Sequence, residues 1–239
     1  MSENIKSLLQ YALHKELLLD LEDRLKAEAV KAFEMVRDRA GLDKKRSREL
    51  EGQARFRMME QGYEEVCTLH GGRLLEGGVI AATGLKIFQP YMRFEVEARG
   101  VILGLAAMPE RKAIPIKNKS RLAGVALNYH LAPGFDFDGT GPKVGDVFGL
   151  LLVSRDKERA GSIDEIAVGI INSAYSSFLF YEPLDKFLSD QDEATTPTYP
   201  TFPVLNASSA PAIKLKKAPT PFVPPEAPNR ADEHDQEAK

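Results

Sequence analysis

The strongest chemical signal in the sequence is Phe135-Asp136-Phe137-Asp138-Gly139-Thr140, two carboxylates two residues apart beside a glycine and a hydroxyl. Carboxylates so spaced can share a hard cation and divide the work of nucleophile and acid. Ala132-Pro133-Gly134 precedes them, so a turn-rich loop between strands is the plainest backbone for the string. A second set is cationic: Lys44, Lys45, Arg46 and Arg48, continued by Arg55 and Arg57. From Arg37 to Arg57, eight basic residues stand against four acidic ones. Arrayed on one helix they could neutralise phosphates and bind nucleic acid with a strong salt dependence. Acidic residues interrupt the run and no aromatic platform adjoins it, so a solvated helix face with some i,i+4 pairs is the commoner explanation. The histidines His14, His70, His130 and His234 are scattered, without i,i+4 pairs or an H-E-x-x-H string. With Cys67 the single cysteine, a cysteine-rich zinc site is excluded. No phosphate-cradling glycine loop and no G-x-S-x-G turn occurs. These residues assign no metal and no cofactor.

The Asp136–Thr140 string resembles the D-x-D-G-T motif of the haloacid-dehalogenase-like phosphohydrolases, over those few residues alone. The resemblance implies a Mg-dependent phosphohydrolase in which Asp136 attacks phosphorus, Asp138 acts as acid and base, and Thr140 supplies a supporting hydroxyl. It also implies a second motif, for which Ser154 after the apolar run Val147–Val153 is in place. The placement departs from the family pattern. There the string closes a buried strand early in a doubly wound domain, whereas here more than half the chain precedes it. No later apolar strand ends in paired acids.

Composition sets the frame. The chain has 239 residues, 43% hydrophobic and 28% charged, with a net charge of −3. Such values are ordinary for a globular protein and give no overall pull toward nucleic acid or membrane. No 18-residue apolar run appears, which excludes a conventional membrane helix. Glu3 follows the start at once, unlike a signal peptide. Cys67, on the apolar helical face of Val66 and Leu69, reads as an inert buried thiol. A cytoplasmic, reducing compartment is expected.

Four segments must position these groups. From Asn4 to Ala40 there is no proline or glycine. Apolar residues recur every three or four positions, predicting one helix about 55 Å long. A compact domain of this size has a radius of gyration of only about 16 Å. One end of the rod should therefore overhang, with Leu9, Leu13, Leu17, Leu21 and Leu25 carrying self-association into a homo-oligomer through a coiled-coil-like seam. After the hinge at Gly41, Asp43 caps a second helix that runs to Leu69 and is closed by Gly71-Gly72. Residues 1–70 are thus expected to form an αα-hairpin. Residues 71–189 should form the sheet domain. Val79–Ala82, Leu85–Val96, Val101–Ala107, Leu122–Leu131 and Val147–Ser154 read as an antiparallel meander of about five strands. Ser162-Ile163-Asp164-Glu165 has the form of a capping box, and Ile163 to Leu179 then predicts a closing helix ended by Pro183. Residues 190–239 hold nine of the fifteen prolines and no glycine, predicting a disordered tail.

The fold class expected is α+β. Tyr91, Phe94, Tyr129 and Phe148 lie near Arg93, Arg99, Arg121 and Asn128 in the meander. A curved sheet so furnished could hold a small ligand, in an order of elements loosely similar to sensor domains of the GAF or PAS type. Tyr199, Phe202 and Phe222 between prolines could dock a protein partner. The preferred expectation is a non-enzymatic regulatory or scaffold protein. It would self-associate through its first helix and recognise a protein or small ligand with its sheet. Phosphohydrolysis at Asp136 and Asp138 and nucleic-acid binding along 44–57 are the alternatives.

Overall fold

The first helical stretch is broken. In the computed structural model, which describes residues 2–75, 89–96, 99–131 and 146–193, α1 spans Ser2–Ala12 and α2 spans Lys15–Arg39. Between them His14 takes extended backbone angles (φ −64°, ψ 159°) as the N-cap of α2. No proline or glycine breaks the rod; tertiary packing does, since burial rather than propensity supplies most helical stability in a protein. Across the bend one apolar stripe runs along both helices and stays buried. Leu9, Leu13, Leu17, Leu21 and Leu25 are all fully buried within their own subunit. The stripe expected to carry assembly therefore lies in the core of its own subunit. Outside that stripe, α2 leaves Leu19, Val30 and Met35 exposed.

Gly41 turns the chain with a left-handed φ of 59°, and α3 (Lys44–Leu69) begins under Asp43. Asp43 Oδ1 accepts from the Lys45 and Arg46 amides at 3.0 Å each. The helices α2 and α3 pack as the expected hairpin. Gly62 permits the close approach: a Cβ there would meet the Arg24 side chain at 2.9 Å. Arg24 then reaches Glu28 on its own helix and Glu65 on α3.

Among the described residues the sheet has six strands in sequence order: β1 Arg73–Leu74, β2 Tyr91–Val96, β3 Arg99–Met108, β4 Val147–Arg155, β5 Ile163–Ile171 and β6 Phe178–Pro183. Every pairing is antiparallel except β3 with β4, which run parallel with Leu103 opposite Gly149. The sheet is thus mixed, not a pure meander. A parallel pair needs a crossover, and α4 (Lys119–Ala126) with a 3₁₀ turn (Leu127–Leu131) lies in it. This corrects the strand expected over Leu122–Leu131. Asn118 caps α4 by accepting from the Arg121 amide at 2.7 Å, a signal that the apolar run obscured.

The second correction is Ile163–Leu179, which forms β5, a turn and β6 instead of a helix. Ser162 does not cap, and Glu165 accepts from the Tyr181 hydroxyl across the strands. β5 is buried on both faces from Ile166 on, and such a strand is a continuous apolar run that periodicity cannot tell from a buried helix. The closing helix exists but comes later, as α5 (Leu184–Glu193) directly after Pro183. Its Phe187 packs edge-on against Phe180.

Helices cover both faces of the sheet. On one face Leu9 and Leu103 pack over Gly149, and Tyr63 of α3 donates to the Leu103 carbonyl at 2.6 Å. On the other, Gly124 of α4 sits so close to Phe148 that a Cβ would lie 2.5 Å from the ring. Asn128, fully buried, wedges between the ends of β4 and β5. It donates to the Phe148 and Ile171 carbonyls at 2.9 Å each and accepts from the Phe148 amide at 2.8 Å. The described residues belong to one compact unit, so the helical segment 1–70 and the sheet segment share a core. None of its helices is long and apolar enough to cross a membrane. Val79–Ala82, the start of Leu85–Val96, Asp136, Asp138, Thr140 and nearly all of the segment 190–239 lie outside the described residues.

Leu17→Ala should lower stability by about 2–5 kcal/mol through the cavity it leaves, read as a shifted urea midpoint. A loss below 0.5 kcal/mol would place that stripe outside the core. Asn128→Ala strands two carbonyls and an amide and should cost on the order of 3 kcal/mol in the same measurement.

Candidate functional site

A cleft of about 530 Å³ opens where the α1–α2 bend meets the end of α3 and the edge of the sheet. Its lining includes Tyr11, His14, His70, Arg73, Arg93 and Glu95. His14 stands there because the bend makes it an N-cap, and its side chain caps nothing. His70 is the C-cap of α3, with its amide donating to the Val66 carbonyl at 3.1 Å. Gly71 then adopts φ 82°, a left-handed turn that glycine enters without steric cost. At Gly72 a Cβ would meet the Cys67 carbonyl at 2.8 Å and the Phe94 ring at 2.9 Å. The two glycines therefore fold the chain tightly enough to lay β1 beside the helix end.

The histidines touch. His70 Nε2 lies 2.7 Å from Asp20 Oδ2, and His14 Nε2 lies 3.1 Å from His70 Nδ1. An ionised carboxylate only accepts, so with both rings neutral the proton positions follow in order. His70 donates from Nε2 to Asp20, accepts at Nδ1 from His14 Nε2–H, and leaves His14 Nδ1 as the free acceptor. This is a relay from α2 through α3 to the cleft. Across from it Arg93 donates to Asp146 from Nε at 2.8 Å and Nη2 at 3.2 Å, and to Glu95 from Nη1 at 3.1 Å. The Asp146 carboxylate holds the Arg93 guanidinium charged more firmly than usual. Arg73 approaches Glu95 at 3.4 Å from solvent. The cleft thus presents donors and acceptors of both signs at fixed positions.

Its chemistry has clear limits. Among the described residues no group of three His, Cys, Asp or Glu could hold a metal ion. Cys67 is fully buried, and burial pushes its thiol up to about 12, so it supplies no thiolate at neutral pH.

The six cations predicted on α3 do not form one free surface. Arg46 pairs with the Asp43 cap and Arg57 with Glu60 at 2.7 Å. Arg55 is half-buried between the charges of Glu51 and Arg155. Lys44, Lys45 and Arg48 are exposed at the start of the helix. The sheet residues named for ligand binding divide between two places. Arg93 and Phe94 line the cleft, while Tyr91, Phe148, Arg121 and Asn128 lie on the α4 face. Spacing could not reveal the histidine pair, whose members are 56 residues apart. Only His70 carried a positional signal, at a helix end, whereas His14 fell within the single helix expected there. No family model, no curated protein and no solved structure matches the chain.

Burial raises Tyr63 and Tyr91 as well as Cys67. Above the ordinary thiol value of 9.0 the unfolded chain releases protons that the native state keeps. By linkage, stability should fall as pH rises from about 9 toward 12. Urea titrations from pH 7 to 11 check this, and a flat profile would contradict the burial of these groups.

Proposed function

We propose that the protein is a non-enzymatic regulatory protein that binds a small polar ligand in the histidine-lined cleft. The observation that carries this reading is the Asp20–His70–His14 relay ending in a cleft of ligand size. Pockets for small molecules commonly measure about 300–1,000 Å³ and orient their ligands with a few fixed polar groups. Here a ligand donor would meet His14 Nδ1, while acceptors would meet Arg73 and the outer edge of Arg93. The described lining offers an imidazole base but no serine, threonine or cysteine for it to activate, which favours binding over nucleophilic catalysis. Recognition by the sheet domain is thus kept from the sequence reading. Assembly through Leu9 to Leu25 is not, because those leucines are interior. A single buried thiol suits a reducing, cytoplasmic setting.

The test is thermal denaturation against a panel of amino acids, nucleotides, sugar phosphates and dicarboxylates. At least one compound should raise Tm in a saturable way. His70→Ala should weaken its binding about tenfold or more, through loss of both ring contacts. A silent panel, together with native mass spectrometry of protein from its own cells showing the bare chain, would overturn the reading.

A further inference from the structure

Five charged side chains are buried among the described residues: Glu28, Glu51, Glu60, Glu182 and Arg121. Each glutamate has a cation close by. Arg24 lies 3.2 Å from Glu28, Arg155 3.0 Å from Glu51, Arg57 2.7 Å from Glu60 and Lys6 2.6 Å from Glu182. Arg121 differs. It is 9% exposed, it forms no ion pair with a described residue, and its Nε makes no hydrogen bond. A guanidinium nine-tenths buried with no counter-charge among the described residues gives up hydration that nothing described there replaces, so it is the exception that asks for an explanation.

The surroundings of Arg121 supply one. Tyr91 and Tyr175 are 0% and 2% exposed, belong to the same core cluster, and both hydroxyls lack a partner. Arg121 stands one turn before Gly124, which rests on the Phe148 ring, and residues three apart share a helix face. The Phe148 and Tyr91 rings are in contact, with centroids 5.0 Å apart. The charge of Arg121 acts on both tyrosine hydroxyls. Glu60, the carboxylate that also acts on Tyr91, pairs through Oε2 with Arg57, while its buried Oε1 makes no hydrogen bond.

Tyr175 is also held in an unusual backbone. Its φ is 56°, the left-handed region that a bulky residue seldom enters. The turn that imposes it is tied down, with the Tyr175 amide donating to the Asn172 carbonyl at 2.8 Å and the Ser176 amide to Asn172 Oδ1 at 2.8 Å. Strain of this kind persists where neighbouring structure enforces it, and here it points the phenol into the sheet face beside α4. Lys117 Nζ lies 5.7 Å from the same ring and adds a second positive charge.

A guanidinium and two phenolic O–H groups are all donors, and their natural complement is a group made only of acceptors. We propose that Arg121, Tyr91 and Tyr175 form a buried oxyanion site that takes the carboxylate or phosphate of a small ligand, separate from the histidine cleft. The planar fork of arginine matches either group with paired hydrogen bonds, and the phenols can complete the remaining acceptor positions. The site uses the face of the sheet opposite the helical hairpin and no residue of the cleft.

The test follows Tm and isothermal titration heats of the full chain with inorganic phosphate and, separately, malonate, against sodium chloride at matched ionic strength. One or both should stabilise the protein saturably beyond the chloride control, and the stronger of the two identifies the oxyanion. Arg121→Gln should abolish the response. Tyr175→Phe, which removes one hydroxyl and little volume, should weaken it about tenfold if Arg121→Gln fails to fold. His70→Ala should leave it unchanged, so a failed cleft and a failed oxyanion site give different results. Equal responses to chloride and both anions would overturn the proposal, as would full responses in Arg121→Gln or Tyr175→Phe.

Discussion

β3 and β4 run in the same direction, and most of the architecture answers to that one constraint. A chain leaving the end of β3 has to travel the length of the sheet before β4 can begin. The return passes over one face, and α4 and the 3₁₀ turn are placed there. Once they cover that face, the central strands are sealed on both sides, because α1, α2 and α5 cover the other. Sealing explains the composition of β4, Val147 to Ser154, where no side chain reaches solvent. It also explains Asn128. Where β4 and β5 separate at Phe148 and Ile171, their backbone groups would be stranded in a dry interior, and an amide side chain from the crossover pairs them instead.

The same demand for coverage bends the first helical stretch. With the stretch divided into two helices, Leu9, Leu13, Leu17 and Leu21 are all fully buried. Burying a leucine is worth about 2 kcal/mol, more than the few hydrogen bonds a helix end leaves to solvent or caps. The break exposes His14, and the tight Gly71-Gly72 exit from α3 sets His70 beside it. The cleft is thus a by-product of packing in its position, though not in the residues that line it.

Parts of this were legible in the sequence, and the reasons differ from element to element. The end of α2 and both limits of α3 follow from local chemistry, with Asp43 capping and Gly41 and Gly71 turning the chain through positive φ. The strands Val101–Ala107 and Val147–Ser154 lie within β3 and β4, where runs of β-branched and aliphatic residues are short and bounded by turn formers. Ile163–Ile171 failed because burial on both faces erases alternation, and a chance Ser-x-x-Glu spacing then imitated a cap. Leu122–Leu131 failed for the opposite reason: α4 buries one side so fully that eight residues hold too few polar positions to show a period. The histidine relay was invisible to spacing altogether, since it joins the ends of two elements that only the tertiary fold brings together.

Charge burial shows which of these features packing alone would not produce. Each of the four buried glutamates lies beside a longer basic side chain that is more exposed than the glutamate itself. Such pairs form readily on any amphipathic rim, and replacing them by apolar residues is often neutral. Arg121 lies instead on the buried side of α4, and its charge acts on two phenols that also lack partners. Leucine or methionine there would fill the volume, complete the cluster around Phe148 and Tyr91, and avoid desolvating a cation. Stability therefore argues against arginine at this position. An arginine that packing disfavours is what the proposed oxyanion site calls for at that place.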